Sequence, residues 1–136
     1  MNLKTTFAVV ASAGISVGAF SKDLDLSKLP PPSAQKNVTY EKDIKPIFDA
    51  SCVKCHSGKK PKGRLHLDSL EGILKGGRDG KVVEPGNSAK SVLVQNVGQI
   101  GDDEDWMPPT DNKYDIKPLT KKQVALIRAW IDQGAK

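Results

Sequence analysis

The chain is poor in the residues that usually carry chemistry. Its 136 residues include two cysteines, two histidines and two methionines. Two cysteines exclude a disulfide-dense scaffold. Zinc sites usually pair two well-spaced sets of Cys or His ligands, and here a second set is missing. The seven aromatics are scattered, and no basic stripe is interleaved with them, so the footprint of a nucleic-acid binder is absent. Past residue 20 no apolar run approaches the roughly 20 residues of a membrane span. Strand-like alternation is scarce, and no βαβ pattern is evident. A short chain this poor in regular structure implies that something besides its core organises it.

What is present begins with "MNLKTTFAVVASAGISVGAFSK". Lys4 is a short positive start, and Thr5 to Phe20 is apolar and uncharged. Val17-Gly18-Ala19 and Ala19-Phe20-Ser21 offer cleavage sites before polar residues resume at Ser21 and Lys22. This is the layout of a secretory signal peptide, expected over residues 1–21; the alternative is an uncleaved anchor. Export would place the protein in the periplasm or outside the cell. The formal charge of +5 would fall by one with the loss of Lys4. Residues 22–38 contain Pro30-Pro31-Pro32, which forbid a helix and favour an extended linker. The folded domain is expected over residues 39–136.

Four helical segments are expected in that domain. Thr39 caps the first, with Tyr40, Ile44, Ile47 and Phe48 on one face and Pro46 forcing a kink. After a short extended piece at Leu65–Leu67, a second helix starts from Asp68 or Ser69 and ends at Gly76-Gly77. Ser88 caps a third, whose Val92, Leu93 and Val97 face inward. The last has a capping box at Thr120 and Gln123, a staple of Leu119 on Val124, and a stripe of Val124, Ile127 and Ile131. Leu126 and Trp130 broaden that stripe, and Gly134 terminates the helix. The fold class is therefore all-α: a small helical domain with long loops and little strand.

The chemistry sits in "SCVKCHSGKKPKG". Cys52, Cys55 and His56 form C-x-x-C-H, the attachment signature of covalent haem c in an exported chain. Thiols three residues apart share one helix face and can add to the two porphyrin vinyls. His56 then offers its imidazole as proximal iron ligand. Three alternatives stay open: a thioredoxin-like redox pair, a zinc site using His66, and a plain disulfide. For the second axial position the candidates are Met107, in a loop stiffened by Pro108 and Pro109, and His66, ten residues from His56. His66 can instead bond a haem propionate or lie exposed. Trp106 either lines the haem pocket or lies at the surface. Asp102, Asp103, Glu104 and Asp105 read as a solvated acidic run, with Ca²⁺ binding the alternative. Lys54, Lys59, Lys60, Lys62 and Arg64 flank the motif and suit either docking of an acidic redox partner or plain solubility.

The stretch from "IKPIFDASCVKCHSG" through "WMPPTD" to "ALIRAWIDQGA" resembles the class I cytochrome c-like haem domains of planctomycetes and related bacteria. The resemblance covers roughly residues 40–135. It implies a helical domain wrapped around one covalent haem c. Cys52 and Cys55 would hold the haem, with His56 proximal and Met107 distal. Leu65-His66-Leu67-Asp68 departs from the family's usual L-R-L-D. The function implied is that of a monomeric single-electron carrier rather than an enzyme. A haem-bearing subunit of a larger oxidoreductase complex is one alternative. The other is a haem sensor or peroxidase-like protein with a labile methionine.

Overall fold

The computed structural model describes residues 23–136; the expected signal peptide lies outside them. Within these residues short helices alternate with long loops, and there is no strand. One isolated bridge pairs Gly77 with Gly80.

The first helical segment is broken as Pro46 requires, although the break falls just before it. A wide π-helical turn, Tyr40–Ile44, runs into α1, Lys45–Ser51, with Pro46 in the first turn of α1. There the missing proline N–H costs nothing. The Thr39 hydroxyl does not cap this turn; the Asp43 carboxylate does the tying, accepting the Thr39 N–H at 2.9 Å. Helix α2, Leu70–Lys75, is capped by Ser69, whose hydroxyl accepts the Gly72 N–H at 3.1 Å. It stops at Gly76, at a φ of +85° that suits glycine.

Helix α3 corrects the sequence reading. It spans only Val92–Val97 and starts at Ser91. Ser88 is buried and belongs to the preceding turn, where Asp132 of the last helix accepts its N–H and hydroxyl at 2.7 and 3.0 Å. The later start rotates the inward face. Leu93, Val94 and Val97 are buried, whereas Val92 is 44 % exposed.

Helix α4, Lys121–Asp132, has its full capping box. Thr120 Oγ1 accepts the Gln123 N–H at 3.2 Å, and Gln123 Oε1 accepts the Thr120 N–H at 2.8 Å. Its stripe of Val124, Ile127, Trp130 and Ile131 is buried. Trp130 meets Tyr40 and Phe48 with ring centroids 6.1 and 6.4 Å apart, and donates its Nε1–H to Lys136 O at 3.0 Å. This aromatic cluster locks α4 to the start of the domain. Because Thr120 Oγ1 is the acceptor for the Gln123 N–H, Thr120→Ala should cost about 1 kcal/mol. Denaturant unfolding would show a lower midpoint at constant slope; an unchanged midpoint would contradict the capping account.

Residues 23–38, expected as a linker, lie against α4. Leu29 and Val38 are buried. The Ser33 N–H donates to Ala125 O at 2.9 Å, and the Arg128 guanidinium donates to Pro30 O. Gln133 completes the seam, donating to Gln35 O at 2.8 Å and accepting the Val38 N–H at 3.1 Å. Prolines cannot donate, but their carbonyls accept, and an extended segment suits a helix rich in side-chain donors. No described helix is long and apolar enough to cross a membrane.

Candidate haem site

The C-x-x-C-H residues lie on the turn that ends α1 rather than on a continued helix. Cys52 closes α1 by donating its N–H to Phe48 O at 2.8 Å. Cys52 O then accepts the N–H groups of Cys55 and His56 at 3.1 and 3.0 Å. This single coil keeps the three side chains together, as a helix would. Both cysteines are free thiols. Burial pushes the Cys52 thiol up to about 12, and Cys55 beside it adds to the effect. A thioredoxin-like site sits on a βαβ scaffold, and the described residues form no strand. Among the described residues no three Cys, His, Asp or Glu side chains gather as a metal site, which leaves a zinc reading equally unsupported.

His56 is held in one tautomer. Its Nδ1 lies 3.0 Å from Lys62 O. A carbonyl only accepts, so Nδ1 carries the proton and Nε2 keeps its lone pair. Burial is the largest influence on the imidazole and lowers its pKa, favouring the neutral form that binds metals. The backbone wraps the residue further. Lys62 N–H donates to Cys55 O at 2.9 Å, and Leu67 N–H to His56 O at 2.8 Å.

Met107 lies in the loop that follows α3. Its N–H donates to Asn96 O at 3.1 Å, which ties the loop to the end of α3. Beyond Pro108 and Pro109, Asn112 staples the loop. Its Nδ2 donates to Pro109 O and Ile116 O, and its Oδ1 accepts the Ile116 N–H, each at 2.9 Å.

Between these walls lies a cavity of about 480 Å³ lined by Cys52, Cys55, His56 and Met107 together. Leu65, Leu67, Leu93, Val97 and Ile116 make the lining largely apolar. An adjoining, more polar cavity of about 460 Å³ shares His56 and Met107 and adds Arg78, Lys81 and Gln95. Residues 52–111 match the family described as planctomycete cytochrome C. The cofactor of this cytochrome family is covalent haem c, and Cys52 and Cys55 fit its attachment pattern. The chain is also 30 % identical to hydrazine synthase subunit alpha of Kuenenia stuttgartiensis, across 75 % of this chain and 16 % of that subunit. It thus spans about a sixth of that relative's length. No solved structure matches.

The residues suit the group. The lining is largely apolar, as a macrocycle requires, and it holds two thiols, an imidazole and a thioether. Trp106 Nε1 is buried without a partner. Trp106 itself does not line the cavity. His66 also lies outside the lining, with Nδ1 3.5 Å from Asp68 Oδ1. Of the five basic candidates, Lys62 lines the cavity and Lys54 lies over the ring of Tyr114, which lines it too. Lys59, Lys60 and Arg64 are exposed beyond it. Sequence reasoning missed Tyr114, a 39 % exposed ring in the lining, with Lys54 and Lys113 ammonium groups 5.4 and 4.8 Å from its centroid. It also missed Asn96, whose carbonyl accepts the Met107 N–H from 11 residues on, and Asn112, whose side chain bonds backbone three and four residues away.

Proposed function

We propose that this is a mono-haem c-type cytochrome that carries single electrons outside the cytoplasm. Cys52 and Cys55 are the thioether anchors, His56 the proximal ligand and Met107 the distal one. The observation that carries the reading is the one apolar cavity that all four residues line. When bound, haem c supplies a one-electron store at its iron. The protein supplies the rest. Two anchors fix the ring, Lys62 O orients the imidazole, and the Asn112-stapled loop presents the thioether. Apolar walls exclude water, so little rearranges when charge changes.

Residues 1–21 act as the export signal, and the mature chain is a monomer. Its redox partner is an acidic protein that docks at the basic rim of Lys54, Lys62 and Lys113 around Tyr114, with Lys59, Lys60 and Arg64 extending the field. A second reading is favoured by the hydrazine synthase relative: a haem module within a larger oxidoreductase assembly. Purification of the native protein with stoichiometric partners would select that reading.

The axial assignment is tested on the oxidised protein. A low-spin ferric spectrum with a Met-to-iron charge-transfer band is expected, and Met107→Ala should abolish the band and lower the reduction potential, because methionine ligation raises it. His66→Ala should leave both unchanged. A band that survives Met107→Ala contradicts the assignment. A high-spin ferric spectrum in the unmutated protein would point to a sensor or peroxidase-like site with a labile methionine.

A further inference from the structure

The turn that accepts the His56 hydrogen bond is itself gripped from outside. Lys62 supplies the acceptor carbonyl, 3.0 Å from Nδ1. The next residue, Gly63, sits at a φ of +62°, and its carbonyl accepts the Arg78 N–H at 2.7 Å. Arg78 belongs to the tight turn 77–80, closed by Gly77 N–H to Gly80 O at 2.9 Å and Gly80 N–H to Gly77 O at 3.3 Å. The two turns touch backbone to backbone. A Cβ added at Gly77 would lie 2.6 Å from Gly63 O and 3.1 Å from Leu65 Cβ. A backbone carbonyl cannot rotate away as a side-chain tip can, so the whole 62–65 segment would have to move. Gly77 is not among the glycines with positive φ; space alone excludes a side chain there.

We infer that Gly77 is a positioning residue for the proximal ligand: its bare Cα lets the 77–80 turn clamp Gly63 and so presses the Lys62 carbonyl onto His56 Nδ1. The near side of the same turn is fixed by the Lys62 N–H bond to Cys55 O at 2.9 Å. The carbonyl is therefore held at both ends. A firm bond from Nδ1–H makes Nε2 a stronger donor to a bound metal, and a stronger donor favours the ferric state. Loosening the clamp has two consequences with different readouts. The Nδ1 proton becomes accessible to solvent, and the reduction potential rises.

The inference rests on His56 being the iron ligand, and the experiment separates the two. In the haem-loaded full chain, Gly77→Ala should make the His56 Nδ1 proton exchange about tenfold faster, the loss of roughly one net hydrogen bond. The potential should rise while the covalent haem and the low-spin spectrum persist. Gly72→Ala is the comparison. Its Cβ would meet His66 Cβ at 2.6 Å, a similar overlap that does not reach Lys62, and it should change neither readout. Unchanged exchange and potential in Gly77→Ala, or equal shifts in Gly72→Ala, overturn the inference. Should Gly77→Ala fail to fold, the unmutated protein decides: protection of the Nδ1 proton supports the clamp, and exchange at the rate of a free imidazole overturns it. A His56→Ala protein that kept its low-spin spectrum would overturn the functional reading instead.

Discussion

With Cys52 and Cys55 both replaced by serine, haem should come away completely into acidified organic solvent, whereas the unmutated protein should release none. The substitution leaves the imidazole, the methionine and the apolar walls in place, so the variant still takes up haem. What it loses is the pair of thioethers, and with them the irreversibility of capture. Each single variant should retain haem through its remaining bond. Stability should follow the same order. Without haem the largely apolar lining faces water, and burial of apolar surface is the dominant favourable contribution to folding. Whole domains are stable by about 5–15 kcal/mol, so the haem-free chain should unfold at far lower denaturant than the loaded one. Extraction followed by spectroscopy checks the first expectation, and denaturant titration of both forms checks the second. Equal stability with and without haem would mean that the fold is not organised around the site.

The largest effect away from the site should come from Trp130→Ala. Trp130 is fully buried between Tyr40 and Phe48 and donates to Lys136 O. Truncation leaves a cavity and removes that bond, at a cost of about 3–5 kcal/mol. Trp130→Phe keeps most of the ring volume and loses the indole N–H, so it should cost about 1 kcal/mol from the hydrogen bond plus a smaller packing term. The two variants separate packing from hydrogen bonding. Denaturation midpoints of the haem-loaded proteins measure both. A Trp130→Ala loss below about 1 kcal/mol, less than most core truncations cost, would show that α4 is not locked through this residue.

Much of this was readable in advance where the signal is local. The Thr120–Gln123 box and the α4 stripe depend on residues three or four apart, and both formed. Pro46 dictated a break near its own position. Cys52, Cys55, His56 and Met107 stood out by chemistry, and the chain brings all four to one cavity. The failures have a common cause, which is dependence on distant partners. Ser88 looked like a helix cap, but Asp132, 44 residues away, claims it, so α3 starts later and Val92 faces outward. Pro30-Pro31-Pro32 looked like a free linker, yet its carbonyls and flanking residues meet Arg128, Ala125 and Gln133 on α4. The Lys62 carbonyl on His56 is a backbone acceptor, which no residue type announces.

The central claim is that Cys52 and Cys55 hold one haem covalently. Mass spectrometry of the native protein, with peptide mapping across residues 51–63, tests it most directly. The account predicts a single haem added to the peptide containing Cys52 and Cys55, on a chain that has lost its first residues up to about position 21. A peptide of unmodified mass, with both thiols free, would contradict it.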